Sequence, residues 1–268
     1  MKYPIIPGVN LTVLPNHRIV RPLRAMVLLG VAVTALNACA STSGRTPAAD
    51  PAGMTHNDTY QALADLGARY KSNPRDKNTV INYAAALRAN GQSQQAVAVL
   101  ETGIANFPRD VDVSIAYGKA LTADGRFDQA LSVIENAIRP DAPDWNALSV
   151  KGAILDQLGR NPEARQVYSQ ALLIAPGEAS IEANIGLSYA MTNDLKLAEQ
   201  HLRRAVALRG ANSKIRQNLA LVVGLQGRFE ESRALYAAEL PPDQVEANMT
   251  YVRGMLSQPN RWEAVGKG

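Results

Sequence analysis

The sequence predicts an all-α solenoid of helical hairpins, and three observations carry that prediction. Small residues recur at a 34-residue step, glycine or asparagine recurs between them on the same step, and only 5% of the 268 residues are aromatic. A chain with 46% apolar residues and so few rings has material for a core of packed aliphatic helices. It lacks the rings that fill sandwiches and barrels.

Ala96, Ala130, Ala164, Ala198 and Ser232 set the register, and we number their column 20. The units then begin at Lys77, Val111, Trp145, Ala179 and Ser213. Column 8 reads Ala84, Gly118, Gly152, Gly186 and Ala220, and column 27 reads Gly103, Ala137, Ala171 and Ala205 before failing at Glu239. Small residues are needed where the two helices of a hairpin cross closely, since a larger side chain there would push their axes apart. Column 24 supplies the bulk that fills the crossing: Leu100, Ile134, Tyr168, Leu202 and Tyr236. Column 15 reads Gly91, Gly125, Gly159, Asn193 and Gly227, the residue types that end a helix in the left-handed conformation. This step and pattern are those of the tetratricopeptide repeat (TPR). A lone hairpin cannot bury its apolar face, so the expectation is a continuous stack of about five.

Residues 1–38 read as a lipoprotein signal peptide. Arg18, Arg21 and Arg24 precede the uncharged run Ala25 to Leu36, whose 12 residues suit an export signal and fall short of the ~20 that span a bilayer. The run ends in Leu36-Asn37-Ala38-Cys39, which resembles the bacterial lipobox. Cys39 is therefore the expected lipid-attachment residue. It is also the only cysteine, so an exported chain could not use it in an internal disulfide. Residues 39–56 form the lipidated start and a tether that is small, polar and Pro-bearing, with a reach on the order of 20 Å. Ala40 lacks the Asp that retains many lipoproteins at the inner membrane, which points to the outer membrane and its periplasmic side.

Residues 57–76 hold half a repeat, since Ala62, Leu66 and Pro74 fall in columns 20, 24 and 32. Five units follow at 77–110, 111–144, 145–178, 179–212 and 213–242. Residues 243–268 supply a capping helix, marked by Val245, Met249, Val252 and Leu256 at helical spacing after Pro241 and Pro242, and a tail with Trp262. Two departures stand out. Lys151 occupies an apolar column, where looser packing is expected unless its stem lies on the surface with the amine in water. Column 4, often Trp in TPRs, reads Val80, Ser114, Leu148, Glu182 and Arg216.

The pI near 9.2 suggests nucleic acid until the charges are placed. Four basic and no acidic residues lie before Cys39, which leaves 24 of each sign after it. A neutral body offers no phosphate-neutralising excess, so no nucleic-acid partner is expected. No metal-ligand pair, Gly-rich phosphate loop or nucleophile elbow is present, so neither enzyme activity, cofactor, metal nor small-molecule substrate is expected. His56 and His201 read as surface or half-buried side chains.

Protein partners remain, and a TPR solenoid offers them the concave wall of its first helices. The candidate groove comprises Ile81, Arg88, Asp112, Lys119, Asn146, Ser149, Asp156 and Gln157 as a polar wall, then Ala183, Leu187, Ala190, Met191, Leu221 and Leu225 as an apolar floor. Such a floor calls for a partner segment or an internal cover, with 243–256 and the Trp262 tail as the internal choice. If it is open, Leu187→Glu with Leu221→Glu should cost binding and leave melting nearly unchanged. Arg88, Lys119 and Lys214 stand in separate repeats and do not make a carboxylate clamp.

Several segments go beyond the generic repeat. Asp144-Trp145 leading to Lys151-Gly-Ala-Ile-Leu-Asp-Gln-Leu-Gly159, Ala175-Pro-Gly-Glu178, Asn184-Ile-Gly-Leu-Ser-Tyr189, Arg216 to Phe229 and Asn248 to Asn260 resemble TadD, the TPR lipoprotein family of tight-adherence (Flp) pilus assembly systems. With the lipobox, the resemblance covers nearly the whole mature chain. It implies an outer-membrane lipoprotein that helps the pilus secretin and other assembly components reach or assemble in the outer membrane. Periodicity alone supports a lipid-tethered scaffold. A scaffold for outer-membrane protein insertion or cell-wall synthesis fits the same columns, and a peptidoglycan-acting enzyme with an unrecognised site is the rival of a different class.

Overall fold

The computed structural model describes residues 56–257; Cys39, the signal, the tether and the Trp262 tail lie outside them. Among the described residues twelve helices follow one another without a strand. After α1 (His56–Ser72) come five hairpins: α2 (Lys77–Ala89) with α3 (Ser93–Asn106), α4 (Val111–Ala123) with α5 (Phe127–Ala137), α6 (Trp145–Gln157) with α7 (Asn161–Ile174), α8 (Ala179–Met191) with α9 (Leu195–Ala207), and α10 (Ser213–Leu225) with α11 (Phe229–Ala237). α12 (Pro242–Leu256) follows. Each helix packs on the next, and each first helix also touches the first helix of the following hairpin. This is the TPR solenoid.

The first helices start where they do because a cap precedes each one. Asp76, Asp110, Asp144, Glu178 and Asn212 stand one residue ahead of α2, α4, α6, α8 and α10, and each side chain accepts a backbone N–H of the first turn. A cap of this kind contributes ~1 kcal/mol and fixes the register of the helix behind it. The hairpin turns use column 15, where Asn193 takes φ 61° at the place the other four hairpins give to glycine.

Within a hairpin the close crossing is set by columns 8 and 24. A methyl group added at Gly152 would lie 2.5 Å from the Tyr168 ring, and one at Gly118 would lie 2.6 Å from Ile134. The ring and the branched chain have taken the space the glycines leave. The core is accordingly a strip handed on from hairpin to hairpin, through Leu100, Ile134, Tyr168, Leu202 and Tyr236, all buried.

The charged departures from the columns are internally paired. Lys151 reaches Glu135 at 2.9 Å with its side chain a quarter exposed, so its stem lies along the surface and no loosening is needed. Arg216 in column 4 grips Glu239 in column 27, Nε to Oε1 at 2.5 Å and Nη2 to Oε2 at 3.1 Å. Glu239, two residues past the end of α11, stands where the other units have a small residue, and the bidentate pair ties it to α10. Glu182, also in column 4, holds His201 at 2.7 Å and Arg204 at 3.4 Å.

At the far end α12 answers the question of the cover. Val245, Met249 and Val252 are buried in one cluster with Ala220, Leu221, Leu225 and Tyr236.

Candidate partner-binding groove

The residues expected along the concave wall occupy first helices, but most are committed to the joints between hairpins. Lys119 Nζ donates to Asn146 Oδ1 at 3.3 Å, joining hairpins two and three. Asn184 Nδ2 donates to Ser149 Oγ at 3.0 Å, and Ser188 Oγ donates to Asp156 Oδ1 at 2.7 Å, joining three and four. Arg88 and Lys119 are 7% exposed and Asp156 5%. The polar wall is thus largely a ladder of internal bonds. Asp112 stays exposed and pairs with Lys77 at 3.0 Å.

Of the two covers expected for the apolar floor, the internal one is present over its far end. Leu187, Leu221 and Leu225 are 8% exposed, and Ala183 is buried. α12 packs on the last two leucines, and neighbouring first helices approach closely enough to cover the rest. The expectation of unchanged melting in Leu187→Glu with Leu221→Glu therefore fails its premise. Ile81, Asn146, Gln157, Ala190 and Met191 are half-buried and, with the exposed Asp112, are the candidate groove residues that keep surface for a partner.

A largely buried polar cluster gathers around Asp156. Its carboxylate accepts Ser188 Oγ and Asn161 Nδ2 at 2.7 Å each on Oδ1, and the Tyr168 hydroxyl at 3.0 Å on Oδ2. Arg165 donates to Ser188 Oγ at 3.3 Å and lies over the Tyr189 ring, 4.6 Å from its centre. Tyr189 in turn stacks on His201 at 5.3 Å. Burial pushes the Asp156 carboxyl up to about 6, against the opposing pull of its three hydrogen bonds and the Arg165 charge.

A carboxyl whose folded value lies above its unfolded one, about 3.9, keeps a proton in the folded state that the unfolded chain has lost. The fold therefore has the full benefit of this group below pH ~4 and loses it as pH rises to about 6, a change of roughly 2–3 kcal/mol. Asp156→Asn is neutral throughout; its oxygen can accept Ser188 and Asn161 and its amide can donate to Tyr168. The variant should be more stable than the parent at pH 7 and equal to it near pH 4. Urea unfolding at the two pH values measures this; equal stability at pH 7 would count against a buried, proton-holding Asp156.

Glu199 shows the opposite case. Burial raises its carboxyl, but hydrogen bonds from Arg228, Gln226 and Arg203 outweigh it and hold the group at about 2. The stability it contributes is present above pH ~4.5 and is lost only as pH falls toward that value.

Sequence reasoning missed Arg165, Asn184, Ser188 and Asn161. The signal was the separation of the partners: Asn184 follows Ser149 by 35 residues and Ser188 follows Asp156 by 32, close to one repeat step. The same rule explains an orphan. Asn218 is the counterpart of Asn184 one step on, but the residue facing it from the preceding unit is Ala183 where Asn184 has Ser149, and the Asn218 Nδ2 is buried without a hydrogen-bond partner.

Among the described residues no three His, Cys, Asp or Glu side chains stand where they could hold a metal, and no helix is long and apolar enough to cross a membrane. The tetratricopeptide repeat family model matches residues 84–144 and 118–180. No curated protein matches the sequence. Solved structures share the fold. TTC0263, a thermophilic TPR protein of Thermus thermophilus, superposes with a TM-score of 0.59 at 21% identity over 66% of this chain and 98% of its own. A tetratricopeptide repeat protein from Parabacteroides merdae gives 0.54 at 16% over 78% and 82%. PilW, a widely conserved type IV pilus biogenesis factor, gives 0.53 at 15% over 75% and 91%. At these identities the likeness is one of fold.

Proposed function

We propose that this tetratricopeptide-repeat chain is a scaffold lipoprotein, held at the periplasmic side of the outer membrane by acyl chains on Cys39, that assists assembly or localisation of the secretin of a tight-adherence (Flp) pilus system. The coarse half of this reading, a scaffold that works by holding proteins, is supported by the repeat array. Five stacked hairpins give a long surface and put no premium on a single reactive site.

The finer half rests on one observation: the lipobox Leu36 to Cys39 stands in the same chain as the segments 144–159, 216–229 and 248–260 that resemble TadD. That PilW, which shares the fold, is itself a pilus biogenesis factor agrees with the assignment without identifying the partner. The surface on offer to that partner in the groove includes the half-buried Ile81, Gln157 and Met191.

Lipidation makes a direct test. Cys39→Ser should move the protein from the membrane fraction to the soluble periplasm or leave it as uncleaved precursor, and should reduce the secretin multimers recovered from outer membranes several-fold. Cell fractionation with immunoblotting of both proteins reads this. Normal secretin multimers alongside a released scaffold would show that delivery by lipid is not how the protein acts.

A further inference from the structure

Every complete hairpin covers its second helix with its first. Column 20 and column 24 of the second helix, from Ala96 and Leu100 to Ser232 and Tyr236, are buried in all five. α1 carries the same columns as Ala62 and Leu66, and there both are only half-buried. It is a second helix that has no first helix among the described residues, and residues 40–55 ahead of it carry Pro47 and Pro51, with Met54 as their single large apolar side chain.

α12 is the converse. Its register follows from its neighbours: a methyl at Gly224 would lie 2.9 Å from Val252, and Gly224 and Asp156 are both in column 12. Asp156 meets Ser188, which is in column 10, so Val252 takes column 10 as well. Thr250 then falls in column 8, Gly254 in column 12 and Glu246 in column 4. In complete hairpins these columns face the second helix; a methyl at Gly186 would lie 2.8 Å from Leu202, and one at Gly224 would lie 2.7 Å from Ser232. At Gly254 a methyl meets nothing within 4 Å, Thr250 is exposed, and Tyr251 and Leu256 stand out beside them. α12 is a first helix without a second among the described residues.

We propose that copies of this chain join end to end, α1 of one copy closing on α12 of the next to make a further hairpin from two chains. The two halves are complementary in kind: one lacks what the other supplies, and the joint repeats a packing the chain already makes five times. The charges agree too. Columns 4 and 27 face each other in the fifth hairpin as Arg216 and Glu239, and across the joint they would be Glu246 and Arg69, the same pair with its signs exchanged. Within one copy Glu246 contacts Arg233, a solvent-edge pair that can share its carboxylate. A head-to-tail contact of this type extends to rings or filaments rather than stopping at a dimer.

The test uses the full chain in detergent with Cys39→Ser, so that introduced thiols are the only ones. One tagged copy carries Ala62→Cys and a differently tagged copy carries Thr250→Cys. Mild oxidation should give a mixed disulfide dimer, and a chain bearing both cysteines should give a ladder. Adding Gly254→Leu to the Thr250→Cys copy should cut the yield about tenfold, because the new side chain fills space that is open within one copy. Its melting curve should not move. Arg69→Glu in one copy should also lower the yield, and Glu246→Arg in the other should restore it. The proposal is overturned if no mixed dimer forms, if only Thr250-to-Thr250 links appear, or if Gly254→Leu leaves the yield unchanged; the last result would mean that the chain's own tail or another protein occupies α12. None of these outcomes bears on the pilus assignment, which stands or falls with the lipid experiment.

Discussion

Gly186→Val should lower the melting temperature by roughly 10 °C. A Cβ at this position falls 2.8 Å from Leu202 Cγ, 3.0 Å from the Ala198 carbonyl oxygen and 3.3 Å from the Leu202 nitrogen. Two of those three atoms are backbone, so no rotamer change relieves the clash and α8 must move away from α9. Overpacking of this kind costs about 3 kcal/mol or more for a branched side chain, well above the ~1 kcal/mol gained by removing glycine from a helix interior. At this chain length each kcal/mol shifts melting by ~2–4 °C. Gly254→Ala is the control. It sits in a helix with open space around its Cβ and should melt at or slightly above the parent temperature. Circular dichroism melts of the two variants decide the matter; a Gly186→Val protein that melts like the parent would mean that α8 and α9 do not cross where column 8 puts them.

Leu187→Glu combined with Leu221→Glu should be comparably damaging. Both leucines are 8% exposed, and they sit one repeat step apart on adjacent first helices. Burying an unpaired carboxylate costs several kcal/mol, and here two like charges would be buried near one another. The pair should lose about 4 kcal/mol or more and unfold the fourth and fifth hairpins together with α12, seen as lost ellipticity and early protease cleavage after residue 178. Met191→Glu, at a half-buried position, should keep its helix content and melt within a few degrees of the parent. Partner binding is therefore better probed at Met191, Gln157 or Ile81, where lost affinity and lost folding can be told apart. An unaltered melt for the double variant would reopen the apolar floor as a docking surface.

The architecture was legible because it is written by residue size on a fixed step. Gly152 against Tyr168 and Gly186 against Leu202 are the kind of crossing that columns 8 and 24 describe, and the turn at Asn193 follows from column 15. The caps went unread, although Asp76, Asp110, Asp144, Glu178 and Asn212 share one column. The groove was not legible. A column states which way a side chain leaves its helix; it does not state how near the next first helix stands, and that distance decides whether Leu187 is a floor or a core residue. Nor do columns reveal partners that lie across them. Asp156 and Ser188 belong to different columns and different hairpins, so their bond emerges only when residues about one step apart are compared. Lys151 and Arg216 looked like isolated faults for the same reason, until Glu135 and Glu239 were placed beside them.

The Arg216–Glu239 grip also limits how such a chain can be rearranged. Repeat proteins are often pictured as strings of interchangeable beads, to be duplicated, deleted or reordered without loss. A fifth bead whose two arms are locked by a charge pair cannot lend only one arm to a sibling: grafted alone, the arginine would meet the small Ala205 of the fourth bead or Ala171 of the third, and its charge would be stranded. A cut inside the fifth bead therefore strands a charge, whereas a cut at a border breaks only the neutral or shared bonds, such as Lys119 to Asn146, that cross it.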